Sequence, residues 1–240
     1  MIKTELNIKN LTNLWKVAGE AFNGYVENER TFYASMKGLA WPNRIWVNDL
    51  VDIKVAQEIQ ETMKRHEGMT FSYFNKSKAK SNLTFETNMY LKSVQYGMSL
   101  TPKNYYKAQK EITLVRVKDK ENADLWSATF YKAFNYQINA EVILRTLNDV
   151  LYFLIYSKKE LLGTVVVFVT NRIGGIHSLG VVPSKRKQGF ALDIMREVLN
   201  FLKEKKIELV TLQASEMAKE MYLKLGFSVD FLMENYMLKK

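Results

Sequence analysis

The sequence predicts an α+β fold made of two similar units, on three observations. First, LWKVAGEAFNGY, Leu14 to Tyr25, returns as LWSATFYKAFNY, Leu125 to Tyr136, at an offset of 111. Second, apolar runs of strand length alternate with stretches of helical spacing in both halves. Third, the copies are joined by SLTPKN, Ser99 to Asn104, a polar stretch with a proline that suits a domain boundary. With 240 residues, 47% of them hydrophobic, the chain can bury a core as one large or two small domains. The division expected is 1–104 and 105–240.

Element by element, the first half opens on LNIKNL, Leu6 to Leu11, expected as a short strand before the first copy of the repeat, a helix. RIWVNDL, Arg44 to Leu50, is an apolar run that passes directly into an amphipathic helix, Val51 to Arg65, with no glycine turn. His66, beside Gly68, reads as the last residue of that helix. A closing strand is expected at FETNMYLKS, Phe85 to Ser93.

The second half starts the same way, with ITLVRV, Ile112 to Val117, as a strand before the second copy. VLYFLIY, Val150 to Tyr156, and LLGTVVVFV, Leu161 to Val169, pair across the polar turn SKKE. A third run, Ile176 to Val182, enters VVPSKRKQGFALDIM. Pro183 cannot donate to a ladder and ends the strand. Gly189 permits close backbone approach, and Leu192, Met195, Leu199 and Leu202 recur at helical spacing. The order is strand, loop, helix. Free loop amides and the positive end of the helix dipole suit an anion such as a diphosphate, with Lys185, Arg186 and Lys187 adding charge. The alternative is an ordinary turn with a wet basic surface. Val210 to Ala214 then reads as a strand, and MENYMLKK, Met233 to Lys240, as a closing strand like that of the first half.

Composition narrows the chemistry. The chain has no cysteine and two histidines, His66 and His177, which leaves no thiolate chemistry and little for a metal cage, so no metal is expected. The formal charge of +10 attracts anions without choosing among them. Its small clusters, Lys76–Lys80, Lys185–Lys187 and Lys203–Lys206, read mostly as solvated surface. The longest nearly apolar run, Leu161 to Val169, is too short to span a bilayer, and the opening residues carry no secretory signal, so a cytoplasmic protein without a membrane partner is expected.

RKQGFA, Arg186 to Ala191, fits the pattern R/Q-x-x-G-x-G/A, and LQASEMAKEMYLKLGF, Leu212 to Phe227, holds a strand followed by a helix carrying A-x-x-x-Y-x-x-x-G-F. In this order, the two motifs make the region Glu111 to Lys240 resemble the GNAT superfamily of N-acetyltransferases, with the first half a degenerate copy. The resemblance implies tandem units, each a mixed, mostly antiparallel twisted sheet flanked by helices, with the fourth and fifth strands of the second unit splayed. It implies acetyl-CoA as acyl donor, its pantetheine arm along Leu179, Gly180 and Val181. The pyrophosphate would lie on the loop Arg186, Lys187, Gln188, Gly189, Phe190 and Ala191. Gly180 is expected to accommodate a bulge, and the Val181 amide to stabilise the oxyanion. Tyr222 takes the family's tyrosine position as candidate acid, with a packing aromatic as the alternative. His177, two residues before Leu179 and so on the same strand face, is the candidate base, with a carboxylate elsewhere or water as the alternatives. Ser215 stands where many members have asparagine, weakening one cofactor contact and supplying a helix-capping hydroxyl instead.

The function implied is acetyl transfer from acetyl-CoA to a primary amine on a small-molecule or peptide acceptor. The residues selecting it are expected around Tyr131 to Ile138, in strand edges and in the first half. The second class is a basic nucleic-acid or ribosome-associated binding module with a vestigial CoA site. No basic and aromatic interleaving supports it. A Fem-type aminoacyltransferase using charged tRNA is third, disfavoured by the intact cofactor signature.

Overall fold

The computed structural model describes residues 3–48, 50–77 and 88–239. Residues 78–80 of the first basic cluster, 85–87 of the first closing strand, and Lys240 of the second fall outside these. The chain forms two compact units, Met1–Met98 with Gln213–Lys240, and Ser99–Leu212. They differ from a division at 104/105 chiefly in where residues 213–240 fall.

In the first unit, α1 (Lys3–Glu20) contains the LNIKNL stretch expected as a strand. Its buried residues Ile8, Leu11, Leu14, Trp15 and Ala18 recur every three or four positions, so one continuous helical stripe overrides the short apolar run. The meander β1 (Tyr25–Glu27), β2 (Thr31–Ala34) and β3 (Arg44–Val47) is antiparallel. α2 (Ile53–Arg65) carries the chain over to β4 (Thr70–Asn75), which runs parallel to β3 from Arg44↔Thr70 to Trp46↔Ser72. As expected, His66 is the C-cap of α2. Later come β5 (Met89–Leu100), α6 (Glu216–Lys224) and β11 (Ser228–Leu238).

The strand order here is β1-β2-β3-β4-β11-β5, so the chain's last strand lies beside β4, antiparallel from Leu232↔Asn75 to Tyr236↔Phe71. β11 is buried from Phe231 to Tyr236. Its polar members are matched: Asn75 Nδ2 donates to Glu234 at 3.0 Å, and Ser72 Oγ to Asn235 Oδ1 at 2.9 Å. Beneath, Val55, Ile59 and Met63 of α2 pack on Ile45, Phe71 and Tyr236.

In the second unit, β6 (Thr113–Arg116) precedes α3 (Lys120–Phe134) and α4 (Ala140–Thr146). β7 (Val150–Ser157), β8 (Glu160–Thr170) and β9 (Ile173–Val181) form a meander, followed by α5 (Phe190–Glu204) and β10 (Leu209–Ala214). Their order is β10-β9-β8-β7-β6. The β7–β8 turn has Lys158 and Lys159 both at positive φ, a conformation that matches the right-handed twist of a two-residue hairpin. Neighbouring residues on β7 show how the sheet is covered: Tyr152 meets Trp126 of α3 edge-on, while Phe153 meets Phe201 of α5. With a helix on each face, β8 is buried without interruption from Leu162 to Phe168, which is why its sequence shows no polar alternation.

Candidate functional site

The site begins where β9 and β10 part. Their parallel register runs from Leu209↔Ile173 to Leu212↔Ile176, leaving His177 to Val181 beyond it. On the other side β9 stays paired to β8, but between Thr164↔Gly180 and Val166↔His177 it carries an extra residue. The bulge sits at Ser178, whose φ is 52°, and not at Gly180. It interrupts the alternation on which placing His177 and Leu179 on one face depends. Gly180 answers a packing demand instead: a Cβ there would lie 2.3 Å from Phe134 Cε2 and 2.9 Å from Ala133 Cβ. The Val182 amide donates to Leu162 O at 2.8 Å, so alternation turns the Val181 amide and carbonyl away from β8.

After Val181 comes a 3-10 turn, Pro183–Lys185, then the glycine loop. Lys187 (φ 59°) and Gly189 (φ 81°) are left-handed, and Gly189 caps α5 with no side chain to fill the cap. Among the described residues none accepts a hydrogen bond from the amides of Lys187, Gln188, Gly189, Phe190 or Ala191. The loop from Arg186 to Gly189 is exposed, and a Cβ on Gly189 would meet only Lys110 Cε, at 3.8 Å. Five unpartnered amides at the positive end of a 15-residue helix form an open cradle of donors, an arrangement that suits an anion.

The basic side chains of the loop act differently from expectation. Arg186 Nε donates to Val181 O at 2.9 Å and Nη2 to Ala133 O at 2.6 Å, so the guanidinium staples β9 to the carbonyl end of α3. The Arg186 amide is itself bonded to Pro183 O. Lys185 pairs with Glu160 at 2.6 Å and holds that carboxyl below its ordinary range. Lys187 is in no ion pair among the described residues.

A cation that sequence reasoning missed is Lys110. Its Nζ stands 5.3 Å from the centroid of the Phe190 ring, at the first turn of α5. The strap before it is fixed along α5. Asn200 accepts from the Tyr106 amide at 2.8 Å and donates to its carbonyl at 2.9 Å, and the Gln109 amide donates to buried Asp193 at 2.9 Å. Asp193, an acid on the apolar side of an amphipathic helix, is the one sequence signal for that strap.

In the first unit, α6 carries Tyr222. Phe227 N donates to Tyr222 O at 3.0 Å, Gly226 N to Leu223 O at 2.9 Å, and Gly226 has a φ of 95°. This is a Schellman ending, and its usual hydrophobic contact joins Tyr222 to Phe227, ring centroids 5.7 Å apart. The Y-x-x-x-G-F spacing is therefore a helix stop. Tyr222 is 7% exposed, and burial pushes its phenol up to about 12. Its hydroxyl has no hydrogen-bond partner among the described residues. Ser215 is the N-cap of α6 as expected, but exposed, and its hydroxyl makes no capping bond; its carbonyl takes the Ala218 and Lys219 amides.

A family model, the GNAT acetyltransferase domain, matches residues 107–234, more than half of the chain. The chain belongs to the GNAT acetyltransferase family. Among solved structures it is similar to a GCN5-related N-acetyltransferase from Kribbella flavida, with TM-score 0.66, 14% identity, and coverage of 94% of this chain and 95% of that one. A GCN5-related N-acetyltransferase from Sphaerobacter thermophilus has TM-score 0.63 and 16% identity over 86% of this chain and 76% of that one. At such identities these likenesses speak for the fold of this GNAT chain. No curated protein matches it. Among the described residues no group of three or more His, Asp or Glu side chains could hold a metal, and no helix is long and apolar enough to cross a membrane.

Proposed function

We propose that the chain is a cytoplasmic acetyltransferase that uses acetyl-CoA to acetylate a primary amine of a small molecule or peptide. The observation that carries this reading is the set of unpartnered amides from Lys187 to Ala191, whose charge and spacing suit a diphosphate. Lys110 and Lys187 supply cations beside it. In this reading the pantetheine arm lies along Leu179 to Val181, where β9 has no β10 partner in the register.

The amine lone pair attacks the thioester carbon, the C–S bond breaks, and the tetrahedral oxygen is stabilised by the Val181 amide. The amine proton passes to His177 or to water. Tyr222 is the acid for the departing sulfur. With its phenol at about 12, well above an ordinary thiol at about 8.5, it remains a neutral hydrogen-bond donor throughout the working range. It donates a hydrogen bond to the sulfur as the C–S bond breaks, and because a phenol at about 12 is a weaker acid than a thiol at about 8.5, a proton that stays on the sulfur is replaced on Tyr222 from solvent.

The first half is, in this reading, a degenerate copy of the same unit. Both halves have an antiparallel meander, a crossover helix and a parallel strand that leaves its register early, at Trp46↔Ser72 and at Leu212↔Ile176. A thermal shift on adding acetyl-CoA, unmoved by RNA, supports the proposal. RNA binding with steep salt dependence and no CoA response supports the binding module instead.

A further inference from the structure

The first unit holds a cavity of about 950 Å³ of its own, within the range of small-molecule sites. It lies where β3 and β4 leave their register, with α1 as a third wall. It does not repeat the anion cradle of the second unit, because the start of α2 is filled: the Asp52 carboxylate accepts from the Val55 amide at 2.9 Å.

Five of the lining residues are aromatic: Tyr25, Phe32, Trp46, Tyr73 and Phe74. Phe32 and Tyr25 stack beside Trp46 with centroids 6.1 and 6.2 Å away, so the wall presents ring faces and edges suited to another flat ring. Much of the polar lining is already committed. Lys16 lies 3.8 Å from both Glu20 and Glu27, Glu27 also accepts from Tyr25 Oη, and the Thr12 hydroxyl donates to Ile8 O. Among the described residues, the lining ions in no ion pair are Lys9, Lys76 and Glu5, two cations against one carboxylate. The whole chain, at +10, pulls the same way.

We propose that this cavity binds a planar aromatic molecule carrying a negative charge, its ring against the aromatic wall and its anion met by Lys9 and Lys76. The site is separate from the acetyl-CoA reading and does not depend on it. The test is calorimetric titration of the full chain with three probes of similar size and different charge: 4-nitrobenzoate, 4-nitrobenzamide and 4-nitrobenzylamine. Saturable binding is expected, with the benzoate about tenfold or more tighter than the benzylamine. Joint replacement K9Q/K76Q should bring the benzoate down to the level of the amide, and Asn13→Trp, which fills the cavity from α1, should abolish binding of all three. No saturable binding of any probe overturns the proposal. So does tightest binding by the benzylamine, or undiminished binding by an Asn13→Trp variant whose circular dichroism shows it folded. The lysine pair, both on the surface, keeps the test decisive if Asn13→Trp does not fold.

Discussion

The starts of α2 and α5 occupy equivalent places in the two halves, each following a strand and leading to a parallel one, yet they treat an anion in opposite ways. At α2 the chain supplies its own: Asp52 caps the helix, and Arg30 at 2.5 Å balances the carboxylate. The Val55 amide and, after it, Arg30 hold the Asp52 carboxyl below its ordinary range. At α5 the cap is Gly189, which offers no acceptor, and the amides around it stay open. The two termini differ in the cap, which supplies its own acceptor at α2 and none at α5, and in the connection, which carries a glycine turn only before α5.

The change expected to break this comparison most completely is Gly189→Val. A β-branched residue at φ 81° is strained by about 1–3 kcal/mol and blocks approach to the amides. Acetyl-CoA affinity should fall about 100-fold or more, measured by titration with the fold checked by circular dichroism. Normal affinity in a folded variant would remove the cradle from the proposed site.

Next in size is Tyr222→Phe, which keeps the Schellman contact with Phe227 and removes the hydroxyl. Turnover should drop by about 10²-fold, the lower range for general-acid assistance, with little change in KM for acetyl-CoA. Because the folded phenol titrates near 12 and an unfolded one near 10, Tyr222 contributes stability below pH 10 that is lost as pH rises from 10 toward 12. The wild-type rate should accordingly show no falling limb from Tyr222 below pH 10. A limb there that vanishes in Tyr222→Phe would contradict this assignment.

Gly180→Ala tests whether that glycine serves packing. The clash with Phe134 and Ala133 should cost about 1–3 kcal/mol in denaturant unfolding. A variant as stable as the parent would return Gly180 to a direct role at the ligand.

A smaller effect is expected of Lys110→Met. The KM for acetyl-CoA should rise about tenfold while that for S-acetyl-N-acetylcysteamine, which lacks the diphosphate, stays put. Equal rises for both donors would show that Lys110 only supports the strap. Smallest is Asp52→Ala, which should lower the melting temperature slightly through the lost cap without creating a CoA response, since the β3–α2 connection still has no glycine turn.

Much of the site could be read from the chain because its signals are local. Proline then glycine between a strand run and a helical stripe fixes a strand–loop–helix, and a tyrosine, glycine and phenylalanine at Schellman spacing fix a helix stop. Where local signals competed, the longer one prevailed: the stripe of α1 absorbed LNIKNL because burying Ile8, Leu11 and Trp15 on one face outweighs a six-residue apolar run. The bulge at Ser178 left no mark in the alternation of IHSLGV, since the extra residue is defined only by its partner strand.

The sequence by itself determined the strand–loop–helix around Gly189, the helix stop at Gly226 and the family that these motifs imply, because each depends on residues a few positions apart. Only the tertiary structure decided that β11 lies beside β4, that Arg186 reaches the carbonyl of Ala133, that Lys110 reaches the start of α5, and that an aromatic cavity opens in the first unit. These rest on contacts between residues distant in the chain, where a buried carbonyl, a helix end or a strand edge takes whichever group packing brings to it.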